Sequence, residues 1–144
     1  MSKDYPKEMH TAEHILSGTM VKRFGVGRPV TTHLEKKKSK VDFVFGRNLE
    51  QNEVEELETT VNEVIRQKLD VSEEMMPRAD AASAFDLSRL PEEAGDVVRV
   101  VHVGSYDACP CIGEHIGNTS EIGTFRIIST SHENGQLRIR FKLG

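Results

Sequence analysis

The sequence predicts an α+β domain, a mostly antiparallel sheet packed against two main helices, and three observations carry that prediction. Residues 52–69 place Val54, Leu57, Val61, Val64, Ile65 and Leu69 on one stripe at helical spacing. Val97–Val103 is dense in β-branched residues and predicts a central strand. Leu137, Ile139, Phe141 and Leu143 alternate with Arg138, Arg140 and Lys142, the period of a strand with one buried face. Asn134-Gly135 just upstream is a strong hairpin signal.

The other elements follow in order. Met9, Ala12, Ile15, Leu16, Met20 and Phe24 recur with a helical period across residues 8–24, and Gly25 is a natural stop. Val30–Leu34 and Val41–Phe45 predict two strands, with Lys36, Lys37, Lys38, Ser39 and Lys40 forming the hairpin tip between them. The 52–69 helix carries acids early and Arg66 and Lys68 late, as the helix dipole prefers. Asp70–Met76 predicts a strand, Arg78–Phe85 a short helix, and Pro91–Gly95 a turn. Tyr106–Gly123 is rich in Gly, Asn and Thr and reads as loop. Thr124–Ser129 then predicts the partner strand of the C-terminal hairpin.

Composition narrows the class. A chain of 144 residues predicts a single domain over 1–144 with an adequate core. No apolar run is long enough to span a membrane, and residues 1–7 lack the apolar stretch of a secretion signal. The two cysteines, Cys109 and Cys111, are separated by one residue; a disulfide between them would close a very tight ring, so a reduced, cytoplasmic setting is expected. A net charge of −4 argues against nucleic-acid binding by the molecule as a whole, so any RNA must be met by a local basic surface.

Two spacings point to a metal. His10-Thr-Ala-Glu-His14 puts two imidazoles one helical turn apart on one face. Cys111-Ile-Gly-Glu-His115 supplies a thiolate and another imidazole at the same spacing, just after a buried strand. Together they make a His₃Cys set that suits Zn²⁺. Cys109 competes with Cys111 for the sulfur position; Cys111 is preferred because its spacing to His115 mirrors that of His10 to His14. The first motif also matches H-x-x-E-H, a zinc-protease signature with Glu13 as general base, but the chain is short for such an enzyme and offers no singular acidic third ligand. His33, His102 and His132 stand apart and read as ordinary strand or loop residues.

His10-Thr-Ala-Glu-His14-Ile-Leu-Ser-Gly, followed far downstream by Cys111-Ile-Gly-Glu-His115-Ile-Gly-Asn-Thr-Ser-Glu-Ile-Gly-Thr-Phe-Arg-Ile, resembles the editing domain shared by alanyl- and threonyl-tRNA synthetases, above all its freestanding short form, the AlaX proteins. The resemblance runs from about Met9 to Leu143. It implies a zinc-dependent hydrolase that cleaves the ester between a wrong amino acid and tRNA, typically seryl-tRNA(Ala) and sometimes glycyl-tRNA(Ala), with zinc ligands at His10, His14, Cys111 and His115. It implies contact with the tRNA acceptor end and no use of ATP. A threonine after the first helix would meet the seryl hydroxyl; Thr31 occupies that place, with Thr32 adjacent. The chain departs from the synthetase-linked forms in having Cys-Ile-Gly-Glu-His where those commonly have Cys-Gly-Gly-Thr-His.

Four protein ligands would close a zinc tetrahedron, whereas three plus water would leave it catalytic. Zinc can polarise the ester carbonyl or activate a bound water, with Glu13 or Glu114 orienting that water. A hydroxyl-matched pocket would spare alanyl esters by roughly 10⁴ or more. Two basic clusters are candidates for RNA contact: Lys36, Lys37, Lys38 and Lys40 at the hairpin tip, and Arg138, Arg140 and Lys142 along the last strand. Two other readings stay open. One is a zinc-stabilised RNA-binding module without activity; the other is editing of seryl-tRNA(Thr).

Overall fold

The computed structural model describes residues 6–85 and 96–144. The elements are α1 (Lys7–Phe24), β1 (Thr31–His33), β2 (Ser39–Val44), α2 (Gln51–Arg66), β3 (Val71–Pro77), α3 (Arg78–Ala84), β4 (Val97–Val103), β5 (Asp107–Pro110), a 3-10 turn (Thr119–Glu121), β6 (Phe125–Glu133) and β7 (Gln136–Leu143). The expected turn at Pro91–Gly95 lies outside the described residues. The α+β class is as expected, but the antiparallel strands divide into two sheets, β1-β2-β7-β6 and β3-β4-β5.

The main core lies between the four-stranded sheet and the two long helices. Val41, Phe43, Leu137, Ile139 and Phe141 from the sheet meet Ala12, Ile15, Leu16 and Met20 of α1 and Leu57, Val61 and Ile65 of α2. The valine run of β4 is buried on both faces, which is why it shows no polar alternation. Val103 joins the main core, whereas Val98 and Val100 pack with Ala81 of α3 in a smaller cluster.

α1 is buried from Met9 to Met20 on every side, polar residues included. Its hydroxyls are satisfied locally or across the fold. Thr11 Oγ1 donates to the Lys7 carbonyl at 3.1 Å, and Thr19 Oγ1 donates to Ile15 O at 2.7 Å while meeting the Tyr106 hydroxyl at 2.6 Å. Gly25 ends the helix at φ 66, its N–H returning to Val21 O.

α2 begins with a reciprocal cap between Glu50 and Glu53 and ends at Arg66, short of the expected Leu69. Lys68 turns into the left-handed region at φ 55. The stop is imposed from elsewhere: Thr119 Oγ1 donates to Ile65 O and accepts from Leu69 N, both at 2.9 Å, and Asn118 Nδ2 donates to Lys68 O at 3.0 Å. Leu69 still packs against the core after leaving the helix.

The 106–123 segment is not all loop. Asp107–Pro110 forms β5 against β4, with Cys109 opposite Val101. Pro110, which has no N–H to give, sits on the strand at the sheet's edge. β6 runs past Ser129 to Glu133, with a bulge between Ile127 and Ser129 that leaves Ile128 exposed. The Asn134-Gly135 turn has φ values of 53 and 76, the paired positive values of a tight hairpin. Ser39 and Lys40, expected at a hairpin tip, are instead the first residues of β2.

Candidate metal centre

Three packed segments build the centre: the first half of α1, the start of β4, and the stretch from Cys111 to Ile116. Arg99 in β4, the one charge in its valine run up to His102, pins that stretch. Its backbone carbonyl accepts from Cys111 N at 3.0 Å, its Nε donates to Cys111 O at 2.9 Å, and its Nη2 donates to Gly113 O. Gly113 then lies against His10; a Cβ at that position would come within 2.3 Å of the His10 ring. Glycine is what allows the loop to close on the helix.

The imidazoles are oriented through their far nitrogens. His10 Nδ1 donates to the Glu114 carbonyl at 3.1 Å. His115 Nδ1 donates to Thr11 Oγ1 at 2.9 Å, because that hydroxyl's own proton goes to Lys7 O. Both rings therefore turn Nε2 inward, the arrangement of metal-bound histidines with a carbonyl or hydroxyl behind them. Cys111 Sγ stands 3.4 Å from His10 Nε2. Ring centroids are separated by 5.0 Å for His10–His14, 4.1 Å for His10–His115 and 4.4 Å for His14–His115. One ligand atom from each of His10, His14, Cys111 and His115 lies within 4.8 Å of the others. Ligands of a tetrahedral zinc stand about 3.3–3.8 Å apart, given metal bonds of about 2.0–2.3 Å.

The residues fit a divalent ion on their own chemistry. Among the described residues, His14 Nδ1 and His115 Nε2 are buried with no hydrogen-bond partner, an expensive arrangement in a protein interior unless something else takes the lone pairs. Burial lowers all three imidazoles: His10 to about 4, His115 to about 3, and His14 well below its usual value. They are neutral at physiological pH, the form that ligates. Burial raises Cys111 and favours its neutral thiol, and a bound cation would favour the thiolate. Cys109, pushed up to about 12 chiefly by burial, is outside the cluster, its Sγ donating to Pro110 O at 3.5 Å.

Of the two candidate carboxylates, Glu13 is buried on α1 and accepts a 2.5 Å hydrogen bond from Ser17 Oγ. Glu114 is exposed and 3.8 Å from Lys7. Thr31 is exposed and registers with Asp42; Thr32 is half-buried and registers with Val41, on the sheet face that meets the helices. Lys36, Lys37 and Lys38 are exposed beyond β1, and Lys40 lies between His33 and Arg140 in the strand register. Arg138 is paired with buried Asp42 at 2.7 and 3.0 Å; Arg140 donates to Ser129 and Ser131; Lys142 stands opposite Arg126. His33, His102 and His132 are engaged elsewhere, with Glu35, Glu74 and the Phe45 carbonyl.

Sequence reasoning missed Arg99, Thr11 and Gly113. Arg99 had a signal, as a charge inside a strand buried on both faces, and Gly113 had one as the residue midway between two ligands.

Residues 98–140, which include Cys111 and His115, match the family described as the threonyl and alanyl tRNA synthetase second additional domain. The alanine–tRNA ligase of Pseudothermotoga lettingae is 35% identical over 123 residues, covering 85% of this chain and 14% of the ligase. That of Bacillus subtilis is 36% identical over 129 residues, with the same coverages. That of Fervidobacterium nodosum is 34% identical over 130 residues, 90% of this chain and 15% of the ligase. The chain is an AlaX-like relative of the alanyl-tRNA synthetase editing domain. It spans about a seventh of the length of those relatives. Among the described residues, no helix is long and apolar enough to cross a membrane.

Proposed function

We propose that the chain is a metal-dependent deacylase that hydrolyses the ester of mischarged tRNA, Ser-tRNA(Ala) foremost and Gly-tRNA(Ala) next. The observation that carries this reading is the convergence of His10, His14, Cys111 and His115 in a chain related to an editing domain. These four residues would hold Zn²⁺, and the ion, when bound, supplies Lewis acidity beside the ester.

The chain's own residues supply the rest. Glu13, buried and held by Ser17, is better placed than exposed Glu114 to orient the attacking water and accept its proton. Thr32 is the better partner for the seryl hydroxyl than Thr31, because its register puts it on the helix-facing side of the sheet. An alanyl group would leave that partner unmatched, which is how correctly charged tRNA would be spared. The RNA backbone would meet Lys36, Lys37, Lys38, Lys40, Arg140 and Lys142, with Arg138 already committed to Asp42.

The test is a substrate panel of Ser-, Gly- and Ala-tRNA(Ala) and Ser-tRNA(Thr), run with and without chelator. The reading expects chelator-sensitive release of serine from tRNA(Ala) and little release of alanine. Thr32→Val should shrink the seryl-over-alanyl rate ratio at least tenfold, and Thr31→Val should leave it nearly unchanged. Occupied metal with no deacylation of any substrate would replace this reading with a zinc-stabilised RNA-binding module.

A further inference from the structure

On α1, His10, His14 and Gly18 follow one another at four-residue intervals and so share a face, each about 6 Å beyond the last. The first two belong to the metal cluster. The third has no side chain, and Asp107 of β5 takes its place: a Cβ on Gly18 would come within 2.5 Å of Asp107 Oδ1. The Asp107 side chain is only 4% exposed and accepts from Arg28 Nη2 at 2.5 Å. The same Nη2 donates to Ala108 O at 3.2 Å. Arg28 is thus fixed one helical turn beyond His14, and its charge is among those acting on that ring.

Arg28 Nη1 is buried and has no hydrogen-bond partner among the described residues. A guanidinium held in place by one amino group, with the other unused, is a donor waiting for an acceptor. The side chain as a whole is 28% exposed, so Arg28 lies at the edge of the interior rather than sealed within it, although Nη1 itself is covered. Asp107 and Glu13 already supply negative charge around it, which disfavours a permanent anion such as a phosphate. A neutral carbonyl that becomes charged only in the transition state suits this balance.

We propose that Arg28 holds the carbonyl oxygen of the aminoacyl ester through Nη1 and stabilises the charge that oxygen gains during hydrolysis. The proposal rests on the deacylase reading above. As the water oxygen adds to the carbonyl carbon, the C=O π pair moves to the carbonyl oxygen, against Arg28. When that pair returns, the bond from carbon to the ribose oxygen breaks. The ribose oxygen then leaves with the proton the water gave up. Asp107 is the positioning residue, acting through Arg28.

The experiment compares the zinc-loaded wild type with Arg28→Gln, Arg28→Lys and Asp107→Asn on two substrates, Ser-tRNA(Ala) and seryl-adenosine, a nucleoside ester without phosphate. Bound zinc is counted for each protein. Arg28→Gln is expected to lower kcat by about 10²–10³-fold on both substrates, with KM within threefold and zinc content unchanged. Arg28→Lys and Asp107→Asn should fall between that variant and the wild type. The proposal is overturned if Arg28→Gln keeps kcat within threefold, or if the loss appears only on tRNA, which would mark a phosphate contact. It is also overturned if both Arg28 variants lose zinc, which would mark a structural role. A zinc-loaded wild type that hydrolyses neither ester removes the deacylase reading and this proposal together; an active wild type with an unaffected Arg28→Gln removes this proposal alone.

Discussion

At the scale of single residues, the metal cluster depends on what is absent as much as on what is present. Gly113 carries no Cβ because the His10 ring occupies that space. Its replacement cannot be absorbed by a flexible side chain, since the obstacle is a ring fixed by the Glu114 carbonyl. Gly113→Ala should therefore displace His10 and weaken zinc binding at least tenfold while leaving the helices formed. A competitive zinc titration followed by circular dichroism measures both, and wild-type affinity in the variant would show that the loop closes differently. Thr11 belongs to the same logic, a hydroxyl that donates to the Lys7 carbonyl and so is left to accept from His115 Nδ1 and the Ile116 N–H. The four candidate ligands were legible because ligand chemistry is confined to few residue types and their spacing was repeated. The residues that aim them were harder to read, because Arg99 acts through the Cys111 and Gly113 carbonyls and Thr11 through a ring about a hundred residues away, contacts that no local pattern announces.

At the scale of elements, the two long helices show how far local pattern reaches. The start of α2 is written locally, in the Glu50–Glu53 cap. Its end is written about fifty residues downstream, in Asn118 and Thr119. The apolar stripe continues to Leu69, so periodicity alone extends the helix too far. Thr119→Val should remove both hydrogen bonds of a fully buried hydroxyl and cost about 1–3 kcal/mol. Urea unfolding checks this, and an unchanged midpoint would mean that the helix end is satisfied without Thr119. β5 was missed for a related reason. Asp-Ala-Cys-Pro has no alternation of its own, and it becomes a strand through pairing with β4. β6, β7 and their Asn134-Gly135 turn were legible because both the period and the turn chemistry are local.

At the scale of the whole molecule, the metal cluster joins the first helix to a segment about a hundred residues later, so its chemistry is coupled to folding. Burial holds His10 at about 4 and His115 at about 3, below the ordinary 6.5. In the metal-free protein the unfolded chain therefore binds more protons than the native state over that interval. Stability should be intact above about pH 6.5, fall as pH drops through the range down to about 3–4, and change no further from these groups below it. Chemical unfolding of the metal-free protein at pH 7.5 and pH 5 tests the sign: the midpoint should be lower at pH 5, and equal midpoints would place these imidazoles in solvent. The coupling also explains why the division into two sheets escaped sequence reading. Strand count and polarity are local, but which strands share a sheet is set by pairings between residues far apart in sequence, such as β2 with β7.

The most direct measurement is X-ray absorption at the zinc edge of the stoichiometrically loaded protein. The account predicts one zinc per chain with nitrogen scatterers at about 2.0–2.1 Å and one sulfur at about 2.3 Å, the sulfur shell disappearing in Cys111→Ser and persisting in Cys109→Ser. A spectrum with oxygen and nitrogen alone, or a sulfur shell that follows Cys109, would contradict it.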